Sequence, residues 1–247
     1  MGSLKGKYAV VTGGGKGIGE AIVKRFLEDG VEGVAILGRN EGTLQKTVEL
    51  LDPKKEKILA IKCDVAVEEQ VTESVKTIVE KFGTIDILVN NAGITNDAML
   101  HKMTLEQWNS VIQVNLNGTY YMCRQIVPIM REKNFGKIVN ITSVSAYGNP
   151  GQANYSSTKG AIISLTKTLA LEGGPKNITV NCIAPGFIKT DMYETVPEAI
   201  LTEYLKRIPL KRLGEAHEVA SATSFLCSED SSYITGQCII ISGGGNT

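Results

Sequence analysis

The stretch KYAVVTGGGKGIGE, residues 7–20, decides the fold. KYAVV reads as a buried strand, and from about Ile18 to Asp29 the apolar residues recur at helical spacing. Between the two, Gly13, Gly17 and Gly19 form the pattern T-G-x-x-x-G-x-G. This is neither G-x-G-x-x-G nor a loop ending in G-K-[ST]. Glycine here permits positive φ and lets a pyrophosphate approach the backbone. A helix beginning near Gly17 points its first N–H groups at such an anion. A tight turn needs glycine in any case. The strand before it and the helix behind it make a dinucleotide site the expectation, with Gly15, Lys16 and Ile18 completing the loop.

Outward from this turn the same alternation repeats. GVAILG, KILAIKCD, DILVNNAG, GKIVNITS, ITVNCIAPG and CIIISGG read as further strands. Helical runs are expected at 41–52, ending at Pro53, at 68–81, as two runs over 104–132, and from Asn154 to the glycines and proline of EGGPKN. Strands rich in Val and Ile without polar alternation belong to a sheet covered on both faces. The expected fold is α/β: one Rossmann-type, doubly wound parallel sheet of about seven strands with helices on both faces. No repeat, low-complexity tract or linker interrupts the chain, so residues 1–247 are read as one domain.

Composition narrows the function classes. Lys plus Arg and Asp plus Glu both number 26, so the formal net charge is zero. That leaves no electrostatic footprint for nucleic acid or an anionic membrane. No apolar run has transmembrane length, and MGSLKGKYAVV lacks a signal-peptide layout. The five cysteines include no C-x-x-C pair, and the two histidines lie far apart, so no metal site and no disulfide framework is expected. Most of the cysteines are read as small core residues of a cytoplasmic protein.

The end of the second strand bears on which dinucleotide is bound. A carboxylate there usually takes the ribose 2′-OH of NAD. Here Gly38 occupies that place, Arg39 follows it, and Lys16 supplies a second cation from the glycine turn. Two cations and no acid suit a 2′-phosphate, hence NADP(H).

YSSTK, residues 155–159, sets Tyr155 and Lys159 one helical turn apart on one face. Taken in order, TGGGKGIG, NNAG (90–93), VNLNG (114–118), IVNITS (138–143), YSSTK and APGFIKT (184–190) resemble the short-chain dehydrogenase/reductase family over essentially the whole chain. NNAGITNDAMLHKMTLEQWN, GNPGQANYSSTKG, VNCIAPGFIKTDM and IPLKRLGE are similar to its 3-oxoacyl-[acyl-carrier-protein] reductase and acetoacetyl-CoA reductase branch.

The resemblance implies Tyr155 as the acid that protonates a carbonyl oxygen, with Lys159 lowering its pKa and holding the nicotinamide ribose. A serine at the end of the fifth strand holds the carbonyl, and Asn115 holds a relay water. Aligning from the tyrosine puts Thr142 in the serine's place; aligning from the strand end puts Ser143 there. Ser143 is favoured, because a loop absorbs a deletion more easily than a buried strand absorbs a slip. The resemblance also places Asp64 and Val65 at the adenine, Asn91, Ala92 and Gly93 beside the cofactor, and Pro185, Gly186, Ile188 and Thr190 at the nicotinamide.

The implied activity is NADPH-dependent reduction of a 3-oxoacyl thioester in fatty acid biosynthesis, by a homotetramer. Dehydrogenation of a steroid, polyol or sugar acid and a non-catalytic dinucleotide sensor are the alternatives. Two departures bear on partners. Ser242 stands where the family commonly has aspartate. Asn134 and Lys176 stand at the two arginine positions of carrier-protein docking, with Lys133 adjacent to compensate.

Overall fold

A computed structural model describes residues 3–189 and 205–245. Seven parallel strands form the main sheet in the order β3-β2-β1-β4-β5-β6-β9. They are β1 (Tyr8–Thr12), β2 (Gly33–Gly38), β3 (Ile58–Lys62), β4 (Ile87–Asn90), β5 (Gly136–Ile141), β6 (Ile178–Pro185) and β9 (Cys238–Ile241). The helices between them are α1 (Gly17–Glu28), α2 (Glu41–Leu51), α3 (Glu68–Phe82), α4 (Leu105–Val111), α5 (Gly118–Lys133) and α6 (Ala153–Gly173). The expected α/β class and doubly wound sheet are what is found.

The apolar runs are continuous because both faces of each strand are covered. Ala9 and Val11 of β1 pack in one core layer with Ile22 and Phe26 of α1. Val10 packs in the opposite layer with Val75 and Ile78 of α3 and Ile126 of α5. The strand order reverses between β1 and β4, opening a crevice at the carboxyl ends of the strands.

Three features were not read from the sequence. A two-stranded sheet pairs β7 (Ile188–Lys189) with β8 (Gly214–Glu215). A helix spans Ala216–Cys227, opened by a capping box in which Glu215 and Glu218 bond each other's backbone N–H groups. The two runs over 104–132 are one helical path, α4 and α5 joined by a π-helical segment at Ile112–Asn117. Among the described residues no helix is long and apolar enough to cross a membrane, and no cluster of His, Cys, Asp or Glu is placed to hold a metal ion.

Candidate active site

The glycine turn is a cradle that side chains would fill. Gly13 has φ +66°, and a Cβ there would lie 2.9 Å from Asn91 Nδ2. At Gly19 a Cβ would stand 2.1 Å from the Gly13 carbonyl oxygen. Two side chains pin the cradle to β4. The Thr12 hydroxyl accepts from the N–H groups of Asn91 and Ala92, each at 3.0 Å. The Asn91 amide donates to the carbonyls of Thr12 at 3.0 Å and Gly13 at 3.2 Å. The helix cap residue Lys16 makes no side-chain capping bond, so its side chain takes up none of the first N–H groups of α1. Backbone without side chains, beside a helix N-terminus, fits the pyrophosphate of a dinucleotide.

The cradle also reaches the second strand end. A Cβ at Gly15 would lie 3.2 Å from Thr43 and Leu44 in the first turns of α2. The Lys16 and Arg39 side chains are both exposed. Asp64 caps its own turn, its carboxylate accepting from Ala66 N–H at 3.0 Å. Val65 is buried, and it leaves no room for a side chain at Gly118.

The second cluster lies beside the first. Lys159 of α6 is 3% exposed and donates from Nζ to the Ile141 carbonyl at 2.8 Å. That ammonium is 5.5 Å from the Tyr155 ring centre. A Cβ on Gly93 would lie 3.4 Å from Asn115 Oδ1 and 3.5 Å from Lys159 Nζ, so Gly93 joins cradle and cluster. The π-helical segment turns Asn115 inward, where it is wholly buried. Its Oδ1 accepts from Ile94 N–H at 2.8 Å, and its Nδ2 donates to the Ile94 carbonyl at 3.0 Å. The carboxamide is thus spent on holding the loop after β4.

The two residues that follow β5 have opposite fates. Thr142 is buried, and its hydroxyl donates to the Lys159 carbonyl at 2.8 Å. Ser143 is half-buried, accepts from Ser145 N–H at 3.1 Å, and sets its hydroxyl near enough to Tyr155 to favour the phenolate. Asn154 fixes the start of α6. Its amide donates to the carbonyls of Asn96 at 2.9 Å and Gln107 at 3.0 Å, and its Oδ1 accepts from Tyr155 N–H at 2.7 Å. Thr12, Asn154 and the Asn115–Ile94 pair were not singled out for these positioning roles, because their partners lie far away in sequence.

The electrostatics differ from the expectation. Burial pushes the Tyr155 phenol above its ordinary value, against the Ser143 hydroxyl that favours phenolate; Asp97 adds to the rise. The Lys159 charge, bonded to Ile141, does not reverse this. Burial alone lowers Lys159 to about 8.

The remaining positions are placed as follows. Gly186 N–H donates to the Ile241 carbonyl at 2.8 Å. A Cβ on Gly186 would lie 2.9 Å from Ser242, so Ser242 backs the Pro185–Gly186 turn. Ile188 is buried on β7, and Thr190 lies outside the described residues. Lys133 does not compensate for Asn134: its ammonium pairs with the buried Asp86 carboxylate. Asn134 itself caps α5 at φ 53°, a left-handed position that asparagine tolerates better than arginine.

The family model described as enoyl-(acyl carrier protein) reductase matches residues 13–246. A 3-oxoacyl-[acyl-carrier-protein] reductase of Thermotoga maritima is 45% identical over 244 residues, 98% of each chain. A protein of the same name from Chlamydia muridarum is 44% identical over 243 residues, again 98% of each. One from Staphylococcus epidermidis is 41% identical over 239 residues, 96% of this chain and 98% of its own.

Proposed function

We propose, from the premise that this chain belongs to the short-chain dehydrogenase/reductase family and is an oxidoreductase using a nicotinamide dinucleotide, that it is an NADPH-dependent reductase of 3-oxoacyl thioesters. The observation that carries the reading is the Ser143 hydroxyl neighbouring Tyr155, beside the buried Lys159 ammonium 5.5 Å from the tyrosine ring. Two neighbouring hydroxyls suit a single carbonyl oxygen, one donating a hydrogen bond and the other a proton. Because burial keeps the phenol protonated at neutral pH, Tyr155 is set to give its proton, which is the reductive direction. The bound dinucleotide supplies the hydride.

Gly13, Gly15, Lys16, Gly17, Ile18 and Gly19 hold the pyrophosphate, and Arg39 with Lys16 takes the 2′-phosphate. Asp64 and Val65 flank the adenine. Asn91, Ala92 and Gly93 line the ribose side, and Pro185, Gly186, Ile188 and Thr190 the nicotinamide. Lys159 donates to the ribose hydroxyls and steadies the phenolate left after proton transfer. Asn115 keeps the loop after β4 against Lys159, where a relay water refills the tyrosine.

The thioester is carried by CoA or by acyl carrier protein. With Lys133 committed to Asp86 and Asn134 uncharged, the α5 corner offers little to an acidic carrier, which favours CoA. Residues 1–247 act as one domain in a cytoplasmic homotetramer. The wide exposure of Leu105 and Leu171 on α4 and α6 supports an assembly face there; sedimentation as a monomer at micromolar concentration would contradict it.

The deciding assay follows NADPH oxidation with acetoacetyl-CoA, a 3-oxoacyl carrier protein, and steroid, polyol-derived and sugar ketones. Turnover is expected with the thioesters, and Ser143→Ala and Tyr155→Phe should each lower kcat by about 10²–10³-fold. Turnover confined to a non-thioester ketone would overturn the substrate assignment.

A further inference from the structure

Cys182 of β6 and Cys238 of β9 are direct register partners, so their side chains leave the same face of the sheet. They end a row that register sets across four strands: Asn90, Asn140, Cys182, Cys238. Asn90 Nδ2 donates to Asn140 Oδ1 at 2.9 Å, and Asn140 Nδ2 donates to Thr166 Oγ1 at 2.9 Å. Thr166 neighbours the Cys182 thiol, and Cys182 faces Cys238 across the strand pair. At the outer end the Tyr147 hydroxyl lies 4.0 Å from Cys238 Sγ. Cys182 is buried and Cys238 half-buried. The proposed reduction uses neither thiol.

The pair has the geometry and the chemistry of a dithiol. Neighbouring strands lie about 4.8 Å apart, inside the roughly 4.4–6.8 Å that a disulfide spans between Cα atoms. Directly opposed Cβ atoms stand somewhat wider than the disulfide mean of about 3.8 Å. Closure would therefore draw β9 toward β6 under strain, and strained disulfides are the readily reduced ones. The facing Cys182 thiol, the Tyr147 hydroxyl and the charge of Lys167 bring Cys238 down to about 7 against its own burial, which makes it the attacking sulfur. The facing Cys238 thiol is in turn the first cause of the raised Cys182. Capping Cys238 removes that cause and readies Cys182 for the second step.

We propose that Cys182 and Cys238 are a redox-reactive dithiol, oxidised by low-molecular-weight disulfides of the glutathione type, whose closure weakens dinucleotide binding. Cys238 thiolate attacks one sulfur of the disulfide and releases one thiolate, giving a mixed disulfide on Cys238. Cys182 gives up its proton and attacks the Cys238 sulfur, expelling the second thiolate. Two protein thiols become one disulfide, and one small disulfide becomes two thiols. The link to binding runs along β9. Ile241, three residues on from Cys238, accepts from Gly186 N–H, and Ser242 backs the Gly186 turn. Tyr147 belongs to the short helical turn that Ser143 caps.

The test incubates the reduced full-length enzyme with glutathione disulfide and maps disulfides by mass spectrometry without reduction. Dinucleotide affinity is then measured by fluorescence, with no substrate present. That separates this outcome from the fate of the 3-oxoacyl assignment. A Cys182–Cys238 peptide is expected, with Kd raised at least fivefold and restored by dithiothreitol. Cys238→Ser should block both effects, and Cys182→Ala should trap one glutathione on Cys238. An adduct that stops at Cys238 in the unaltered protein, a link between two copies, or a cross-link that leaves Kd unchanged would each overturn the proposal.

Discussion

The glycine turn and the loop after β5 both depend on glycine, but for different reasons. In the turn, a Cβ at Gly13, Gly14 or Gly19 would come within 2.9 Å of a neighbouring atom. In the loop, Gly148 and Gly151 have φ of +112° and +83°, and nothing stands within 4 Å of where their Cβ atoms would be. One region is closed by contact and the other only by backbone conformation. A surface that must lie against a pyrophosphate has no spare volume. A loop at the substrate mouth can be reshaped at the cost of a dihedral angle, which is how one scaffold serves different substrates.

The sharpest way to break this comparison is one methyl group in each region. Gly19→Ala sets a Cβ 2.1 Å from the Gly13 carbonyl oxygen and 2.8 Å from its carbon, backbone atoms that cannot swing aside. It should cost about 3 kcal/mol of stability and remove measurable dinucleotide binding. Gly148→Ala should cost about 1 kcal/mol through its positive φ and leave the dinucleotide Kd within twofold. Denaturant melts and cofactor titrations read both. Equal losses at the two sites would mean that the turn is not a packed cradle.

Lys159 carries the contrast into the cluster between the two regions. Lowered from 10.5 to about 8 with 3% exposure, its charged form costs roughly 3 kcal/mol of stability below pH 8. Lys159→Met removes that cost and also the bond to Ile141, worth about 1 kcal/mol. A net gain of about 2 kcal/mol at pH 7 is expected, together with a large loss of turnover. The sign follows from proton binding. Between about pH 8 and 10.5 the unfolded chain holds the proton and the folded one does not, so the parent gains stability as pH rises. The advantage of the variant should therefore shrink across that window. A destabilised variant at pH 7 would show that the ammonium is well solvated.

Gly38 lies at the edge of the cradle, where contact eases. A Cβ there meets only the Leu44 Cδ2 end, at 3.3 Å. Gly38→Asp should fold and place a carboxylate beside the ribose. The ratio of kcat/KM for NADPH over NADH should fall about tenfold, roughly 1.4 kcal/mol. An unchanged ratio would remove Arg39 and Lys16 from cofactor choice.

What the sequence revealed follows the same division between local and distant causes. The seven strands of the main sheet, the first six helices and the glycine turn were legible because apolar runs, periodicity and glycine spacing act over a few residues. The helix Ala216–Cys227 was missed because Ala, Ser and Thr dilute its apolar stripe, although Glu215 and Glu218 had the spacing of a capping box. The row from Asn90 to Cys238 was illegible because it exists only through the register of four strands. Lys159 was readable as a partner of Tyr155, but not as a group depressed by burial. Lys133 looked available because its partner Asp86 is 47 residues away.

The smallest effect tests the finest distinction, between the two neighbours that follow β5. The Thr142 hydroxyl donates to the Lys159 carbonyl at 2.8 Å inside the protein. Thr142→Ala removes that bond and leaves the carbonyl buried, which should cost about 1 kcal/mol of stability. The carbonyl sits in α6 with a second lone pair for the helix, so Lys159 should keep its place and kcat should stay within about threefold, roughly 0.7 kcal/mol in the barrier. Thr142→Ser should restore the stability, since it restores the donor. If Thr142→Ala instead lowered kcat by 10²-fold while Ser143→Ala turned over normally, the two hydroxyls would have exchanged roles. Because successive side chains on a strand point to opposite faces, the end of β5 would then have to be shifted by one residue from the register in which Asn140 pairs with Asn90 and Cys182.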